Sequence, residues 1–325
     1  MKAIVHDRYG SPEVLRLAEV AKPVAGDNEV LVRVHAATIN ARDWHAMRGD
    51  PYLARMAFGL RGPKVKIRGT DFAGRVEAVG RLVTRFRPGD EVYGEVQAAF
   101  AEYVTVPEDL VGPKPANLSF EQAAAIPLAA NTALMGLRDV AHTGPGQRVL
   151  INGASGGVGT FAVQLAKSFG AHVTGVCSTR NIELVRSLGA DEVVDYTRED
   201  FAAGERRYDV VFDLVGNRSL ADLRRALTRT GTLILSGGGV SSGGSLVGPI
   251  GLVVKGQLLS RFVSQRVITL SAAPSRENLD TLRELAESGA LTPIIDRTLP
   301  LSETAEAIRY VEQEHARAKV VLNVA

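Results

Sequence analysis

The sequence is short of cysteine and of any excess charge of one sign. Cys177 is the only cysteine in 325 residues, so an intrachain disulfide and any metal site that takes two thiolates from one chain are excluded. Lys and Arg number 38 against 36 Asp and Glu, which gives a formal net charge of +2. This balance argues against a dedicated nucleic-acid-binding surface.

Long hydrophobic runs are also missing. The most apolar late stretch, residues 246–259, is interrupted by Pro249 and Lys255 and is too short to span a bilayer. No apolar segment precedes the first charged residues of the sequence. We therefore expect a cytoplasmic protein with no membrane partner, and its length allows two domains.

A glycine-rich turn stands between a predicted strand and a predicted helix. Val149–Ile151 is apolar and β-favouring, and after Gly159 apolar residues recur at helical spacing. Glycines in such a turn let a pyrophosphate approach the amides of a helix N-terminus. A glycine cluster alone is weak support, but this strand-turn-helix context predicts a dinucleotide site. Its predicted contacts are Ser155, Gly156, Gly157, Val158 and Gly159.

Strands and helices alternate after this turn. Six predicted strands with crossover helices indicate an α/β fold with a doubly wound parallel sheet. Asp213 ends the fourth strand and is interpreted as structural rather than as a base. The strands are predicted at 149–152, 173–177, 192–195, 208–214, 232–236 and 267–270, and the helices at 159–169, 181–188, 219–229 and 276–288.

The first 115 residues favour β-structure with little helix, because short apolar runs alternate with Gly and Pro turns. Ser119–Gln122 is typical of a helix N-cap with a capping-box glutamine, and a second helix is predicted at 131–141. Strands at 294–296 and 319–323 bracket a predicted helix at 302–314 and fit best in the first domain. The predicted early strands are 30–34, 76–79, 91–93 and 103–106.

The end of the second nucleotide strand distinguishes NAD from NADP. About 20 residues beyond the turn, NAD enzymes carry a carboxylate for the ribose hydroxyls. Residues 177–181 have none. Ser178, Thr179 and Arg180 instead offer hydroxyls and a cation to a 2′-phosphate. We therefore predict NADP(H); the alternative is that Arg180 only begins the next helix.

Further motifs follow one another in a fixed order: Gly26–Val34, Asn40–Asp43, Gly69–Gly74, Pro88–Val92, Ala124–Leu128 and Ser187–Asp191. With the nucleotide turn, they resemble the zinc-less quinone oxidoreductase branch of the medium-chain dehydrogenase/reductase superfamily. The resemblance implies a GroES-like β-barrel substrate domain at 1–118 and 292–325 and a Rossmann domain with a six-stranded sheet at 119–291. It also implies a homodimer paired through the Rossmann sheet edge, for which Val267–Leu270 is the candidate strand.

The same resemblance assigns the remaining site residues. Tyr52 is placed near the substrate, where it can donate a proton to an enolate oxygen; a half-buried loop aromatic is the alternative. Asn40 is placed beside the nicotinamide, although it could be a turn former, and Asp43 and Asp71 are expected to anchor loops. The implied cofactor contacts are Asn40, Thr132, Tyr196, Leu214, Val215, Ser236, Gly237 and Gly238.

Zinc relatives carry an early cysteine and a later Gly-His-Glu motif. The corresponding places here, Asn40–Asp43 and Gly69–Asp71, contain neither cysteine nor histidine, although His35 and His45 flank the first. We therefore predict no metal, and hydride transfer from NADPH to a quinone or an α,β-unsaturated carbonyl. The alternatives are an NADP-dependent secondary alcohol dehydrogenase and a non-catalytic NADPH-binding protein.

Overall fold

The computed structural model describes residues 1–236, 263–313 and 316–324. The chain divides into two compact units, Met1–Asn131 with Ala273–Ala325, and Thr132–Ala272. The two units divide after Asn131 and before Ala273. The predicted domain boundaries, after residue 118 and before residue 292, stay a prediction.

The strands of the described residues are numbered in chain order. They are β1 Lys2–Val5, β2 Arg16–Glu19, β3 Glu29–Ile39, β4 Asp71–Val79, β5 Glu91–Glu95, β6 Tyr103–Pro107, β7 Val111–Pro113, β8 Arg148–Asn152, β9 His172–Cys177, β10 Glu192–Asp195, β11 Tyr208–Asp213, β12 Leu227–Leu235, β13 Arg266–Thr269, β14 Ile295–Pro300 and β15 Lys319–Asn323.

The helices are mostly short. The α-helices are Ala41–Arg48, Arg55–Phe58, Phe120–Ala124, Pro127–Leu134, Gly157–Ser168, Ile182–Ser187, Leu220–Arg225, Arg276–Glu287 and Thr304–Gln313. A π-helical segment, Met135–Val140, follows the fourth of these. Single 3₁₀ turns occur at Pro12–Val14, Tyr52–Ala54, Glu108–Leu110, Thr179–Asn181 and Leu301–Glu303.

The first unit is organised around the long strand β3. β4 pairs with most of its length, whereas β15 pairs with its C-terminal half and β6 with its N-terminal half, all antiparallel. The sheet order is β14-β15-β3-β4-β5-β7. Alternate β3 residues such as Val30, Val32 and Val34 pack with Phe72 in the barrel core. The C-terminal strands thus complete the first unit, which confirms their predicted place.

The second unit contains the predicted six-stranded parallel sheet. Its order is β10-β9-β8-β11-β12-β13, so the direction of winding reverses between β8 and β11. Helices connect β8 to β9, β9 to β10 and β11 to β12, as parallel pairing requires. In such a sheet, ligands bind outside the carboxyl ends of the strands at the reversal point. The predicted Rossmann-type α/β fold is therefore confirmed, together with the GroES-like unit.

Several predicted bounds are wrong. The second helix begins at Pro127 rather than at residue 131, because proline fits the first helical turn, where its missing N–H is not needed. The predicted helix 219–229 ends at Arg225, since Leu227 pairs with Tyr208 and so belongs to β12. The first unit also contains the helix Ala41–Arg48, which the β-rich composition did not indicate.

The predictions of a homodimer and of a protein without a membrane partner stay predictions. β13 lies at one edge of the described sheet, as expected for Val267–Leu270, and pairing of two copies there is not tested by one chain. Within the described residues, every helix is too short or too polar to cross a membrane.

Helix Arg276–Glu287 is fastened to the barrel by a buried phenol. Tyr93 is fully buried on β5, and its hydroxyl donates to the Leu279 carbonyl oxygen at 2.6 Å. We expect Tyr93→Phe to lower the free energy of unfolding by about 1 kcal/mol, the net value of one such hydrogen bond. Urea denaturation measures this, with the exposed Tyr196→Phe as control. Equal stability of the two variants would contradict the anchoring role.

Candidate cofactor-binding and catalytic residues

The predicted nucleotide turn joins β8 to helix Gly157–Ser168, with Gly156 as the N-cap residue. Gly153 has a φ of +88°, a conformation that favours glycine. A Cβ on Gly159 would lie 2.1 Å from the Gly153 carbonyl oxygen, so only glycine lets the helix approach the strand this closely. The backbone amides of the first helical turn therefore stand at the surface of a tight cradle that suits a pyrophosphate.

A side chain not predicted from the sequence connects this turn to the end of β9. Asn181 is buried, and its Nδ2 donates to Ser155 Oγ at 3.0 Å and to Ser178 Oγ at 3.3 Å. Asn181 thus holds two predicted cofactor contacts in one place. Only its position just before helix Ile182–Ser187 could have singled it out.

A carboxylate does lie near the predicted 2′-phosphate contacts, but it comes from the third strand along the chain, β10, and not from the second, β9. β9 and β10 pair in parallel with Cys177 opposite Asp195, and Asp195 Oδ2 accepts from Thr179 Oγ1 at 2.5 Å. Hydrogen bonds from Thr179 and Thr197 lower the pKa of Asp195. The Thr179 hydroxyl is oriented by this hydrogen bond to Asp195. Its predicted contact with a 2′-phosphate stays untested.

One cation lies beside this carboxylate, and another follows Thr179 in the chain. Arg180 is exposed in the turn Thr179–Asn181, and Arg198 Nε lies 3.6 Å from Asp195 Oδ2 with its side chain 75% exposed. Tyr196, two residues before Arg198, is 48% exposed. The structure thus leaves the side chains of Arg180 and Tyr196 accessible and adds Arg198, which the sequence analysis missed.

At the reversal point, Asp213 organises the loop after β11. Its Oδ1 accepts from Asn152 Nδ2 at 2.8 Å and from the amides of Val215 and Gly216 at 3.2 and 3.1 Å. A Cβ on Gly153 would lie 2.7 Å from Val215 Cγ2, so this loop rests against the nucleotide turn. The structural interpretation of Asp213 is confirmed.

Three of the predicted ribose and ring contacts lie at the carboxyl ends of two neighbouring strands. Leu214 and Val215 follow β11, and Ser236 follows the adjacent β12, where its amide donates to the Asp213 carbonyl oxygen at 3.0 Å. Thr132 is buried in helix Pro127–Leu134. Gly237 and Gly238 lie outside the described residues. The roles of these residues toward a cofactor stay predictions.

The first unit holds a set of buried side chains that we call the buried polar cluster: Thr38, Asn40, Asp43, Thr70, Asp71 and Lys319. Asp71 Oδ2 accepts from Thr38 Oγ1 at 3.0 Å and from Asn40 Nδ2 at 2.9 Å. Its Oδ1 accepts from the Leu128 amide at 3.1 Å. Asp71 therefore anchors three segments of chain, as predicted.

Asn40 is held on every side by the cluster. Its Oδ1 accepts from Lys319 Nζ at 2.6 Å, and its Nδ2 also donates to Thr70 Oγ1 at 3.2 Å. The backbone N–H of Asn40 donates to Asp43 Oδ2 at 2.8 Å, so Asn40 and Asp43 together cap the start of helix Ala41–Arg48. The anchoring role of Asp43 is thereby confirmed, whereas a catalytic role for Asn40 stays a prediction.

Burial changes the acidity of the carboxyl groups here. It raises the pKa of Asp43 to about 7, and the neighbouring Asp71 charge adds to the effect. It likewise raises the pKa of Glu95 to about 7. Burial lowers the pKa of Lys319, while the nearby carboxyl groups oppose that change. Near neutral pH the Asp43 carboxyl group of the cluster is therefore not fully ionised.

Known proteins share this arrangement of units. An alcohol dehydrogenase GroES-like domain matches residues 26–116 and a zinc-binding dehydrogenase domain matches residues 188–322. The mitochondrial NAD(P)H oxidoreductase RTN4IP1 of Bos taurus is 37% identical over 100% of this chain and 89% of its own. The NADPH-dependent alkenal/one oxidoreductase of Arabidopsis thaliana chloroplasts is 35% identical over 99% of this chain and 79% of its own.

Among solved structures, the quinone oxidoreductase from Coxiella burnetii superposes with a TM-score of 0.87 at 32% identity, covering 100% of this chain and 99% of that one. This chain belongs to the quinone oxidoreductase branch of the medium-chain dehydrogenase/reductase superfamily. The chain is therefore a member of an oxidoreductase family that uses a nicotinamide cofactor.

Zinc, which gives one of the matching domains its name, does not fit the residues of this family member. Lys319 Nζ lies 2.6 Å from Asn40 Oδ1 and 3.5 Å from Asp71 Oδ2, within the two segments that correspond to the zinc motifs of relatives. A divalent cation there would face a fixed positive charge. Across the described ranges, no three His, Cys, Asp or Glu side chains are grouped to hold a metal.

The other predicted catalytic residue lies in an exposed turn of the first unit. Tyr52 is 45% exposed in the turn Tyr52–Ala54, and the Arg55 guanidinium lies 4.6 Å from its ring centroid. The two histidines that flank Asn40–Asp43 make ring contacts: His35 stacks on Phe120 and His45 on Trp44. Proton donation by Tyr52 stays a prediction.

Removing the buried ammonium should unbalance the cluster. We expect Lys319→Met to lower the free energy of unfolding by about 3–5 kcal/mol, because the Asp71 carboxylate is left buried without a cation. Adding Asp71→Asn to that variant should recover part of the loss. Urea denaturation of the single and double variants measures the coupling. A loss for Lys319→Met that the second change does not reduce would show that packing, not charge pairing, is what Lys319 supplies.

The raised pKa of Asp43 predicts a pH-dependent stability. The folded pKa of about 7 exceeds the unfolded value, so the stability that protonated Asp43 contributes is complete below about pH 4 and is lost as the pH rises through 7. We expect Asp43→Asn to become progressively more stable relative to the parent chain between pH 5 and pH 8. Unfolding measured at both pH values tests this, with the exposed Asp109→Asn as control. A constant difference between Asp43→Asn and the parent would contradict the prediction.

Proposed function

We propose that this chain is an NADPH-dependent reductase that delivers hydride to a quinone or an α,β-unsaturated carbonyl without zinc. The observation that carries the proposal is the side chain of Lys319, which is bonded to Asn40 and Asp71 in the two segments where zinc relatives carry their motifs. Alcohol oxidation in this superfamily depends on a Lewis acid to stabilise the alkoxide. Reduction of a conjugated double bond or a quinone depends mainly on hydride positioning.

The choice of NADPH is supported by groups on the second unit. The nucleotide turn suits a pyrophosphate, and Ser178, Thr179 and Arg180 are proposed to bind the 2′-phosphate, with Tyr196 beside them. Arg198 adds a second exposed cation at the same end of the sheet. The Arabidopsis relative is named as NADPH-dependent. When bound, the nicotinamide supplies the hydride.

The chain itself positions the reactants and excludes water. Leu214, Val215, Ser236, Thr132 and Asn40 are proposed to lie beside the nicotinamide. Tyr52 is the proposed proton donor to the enolate oxygen, and solvent is the alternative donor. Because Asn40 is fixed by Lys319, Thr70 and Asp71, its contribution is that of a rigid polar contact rather than a moving acid.

The function predicts a cofactor-specific and chelator-insensitive activity. We expect NADPH oxidation with an ortho-quinone or an α,β-unsaturated ketone to exceed NADH oxidation and to be unchanged by a chelator. Arg180→Ala should raise the KM for NADPH by about 10-fold, the value of a lost charge-assisted hydrogen bond, without raising that for NADH. Initial rates at varied cofactor measure both.

Arg186→Ala provides the matched control, because Arg186 is exposed on the following helix and pairs with Glu183 instead. A preference for NADH would contradict the assignment of Arg180. Loss of activity on chelation would contradict the metal-free mechanism. Tight NADPH binding without turnover of any acceptor would favour a binding role over catalysis.

A further inference from the structure

A cavity of about 210 Å³ opens beside the buried polar cluster within the first unit. Two cluster members, Asp43 and Thr70, contribute to its wall, and much of the rest is apolar. Three cations also line it: Arg42, Lys64 and Arg68. A small cavity with apolar walls and several cations needs an explanation, because like charges repel at close range.

Arg68 has more hydrogen-bonding capacity than its surroundings use. Its Nη2 donates to the Val65 carbonyl oxygen at 2.6 Å, whereas its Nε is buried and has no partner in the described residues. No carboxylate oxygen of the described chain lies within ion-pair distance of it. Burial lowers the pKa of Arg68 and the neighbouring Arg42 adds to this, while Asp43 opposes it. A buried N–H without a partner is costly unless something binds there.

Arg42 is only partly neutralised. Its Nη1 lies 3.3 Å from Glu95 Oε1, and its side chain is 46% exposed. Glu95 and Asp43 both have a pKa raised to about 7, so near neutral pH neither is fully ionised. The remaining titratable neighbours add no compensating charge: the pKa of His6 is lowered to about 4 and that of Tyr9 is raised, so both are neutral. The cavity is therefore positive.

We propose that the Arg42–Arg68 cavity binds a carboxylate of the substrate, so that the preferred quinone or enone is an anionic one. This rests on the proposed reductase function and names its substrate class. The planar fork of a guanidinium matches the two oxygens of a carboxylate. The volume corresponds to roughly seven liquid waters, enough for a carboxylate on a short carbon chain.

The test compares two substrates that differ only in charge, 4-oxopent-2-enoic acid and its methyl ester. The parent chain should have a higher kcat/KM for the acid. Arg68→Met and Arg42→Gln should each lower the acid-to-ester ratio of kcat/KM by about 10-fold or more, mainly through the KM for the acid. Arg68→Lys, which keeps the charge, should restore part of the ratio.

Lys66→Met is the matched control. Lys66 is exposed, lies two residues from Arg68, pairs with Asp7 and does not line the cavity. This variant removes one positive charge from the same segment and should leave the ratio unchanged. An equal change in Lys66→Met and Arg68→Met would reduce the effect to general electrostatic attraction and overturn the proposal.

Direct binding separates this inference from the reductase proposal. Titration calorimetry without NADPH, using 4-oxopentanoate, the saturated acid that has no conjugated double bond, should detect binding to the parent chain and weaker binding to Arg68→Met. If binding follows this pattern but NADPH reduces neither enone, the anion site stands and the reductase proposal fails. If the parent prefers the ester, or if acid and ester lose kcat equally in Arg68→Met, the guanidinium does not bind a substrate carboxylate and the inference is wrong.

Discussion

The first unit depends on the burial of one ammonium group. Lys319 begins the last strand of the described chain and places its charge, 2% exposed, between the end of β3 and the start of β4. A buried ammonium is tolerated only when each N–H finds an acceptor. The acceptors come from segments far apart in sequence, so satisfying this one group fixes where β15, β3 and β4 meet. The closure of the sheet and the geometry of Asn40 are therefore consequences of the same constraint.

The second unit depends on a steric constraint instead. Gly159 packs so closely on Gly153 that any side chain there would overlap the backbone, and this contact brings the helix N-terminus to the end of β8. The loop after β11 is then held against the turn by Asp213. Glycine permits the approach, and a buried carboxylate fixes the neighbouring loop. A pyrophosphate is recognised by backbone amides in such a site. The turn therefore needs few side chains that bind the phosphates.

Local patterns predicted the parts of this molecule that are local in origin. The nucleotide turn, the capping box at Ser119 and the alternation of strands and helices all arise within short windows, and the structure contains them. Asp195 was missed because it reaches Thr179 only through the pairing of β10 with β9. Lys319 was predicted as a strand residue, but its contact with Asn40 spans 279 residues. The absence of zinc ligands is visible in the sequence, whereas the cation that takes their place is set by sheet register, which no short window encodes.

The way in which Lys319 is satisfied also restricts the chemistry. An ammonium has three N–H donors, and those of Lys319 face the Ile39 carbonyl oxygen, Asn40 Oδ1 and Asp71 Oδ2. No donor remains for a substrate oxygen, so this cation cannot act as a Lewis acid or an oxyanion contact in the way a zinc ion does. Any positive charge offered to a substrate by the first unit must then come from groups with unused N–H capacity. Arg68 is such a group, so electrostatic recognition is separated here from the group that holds the barrel together.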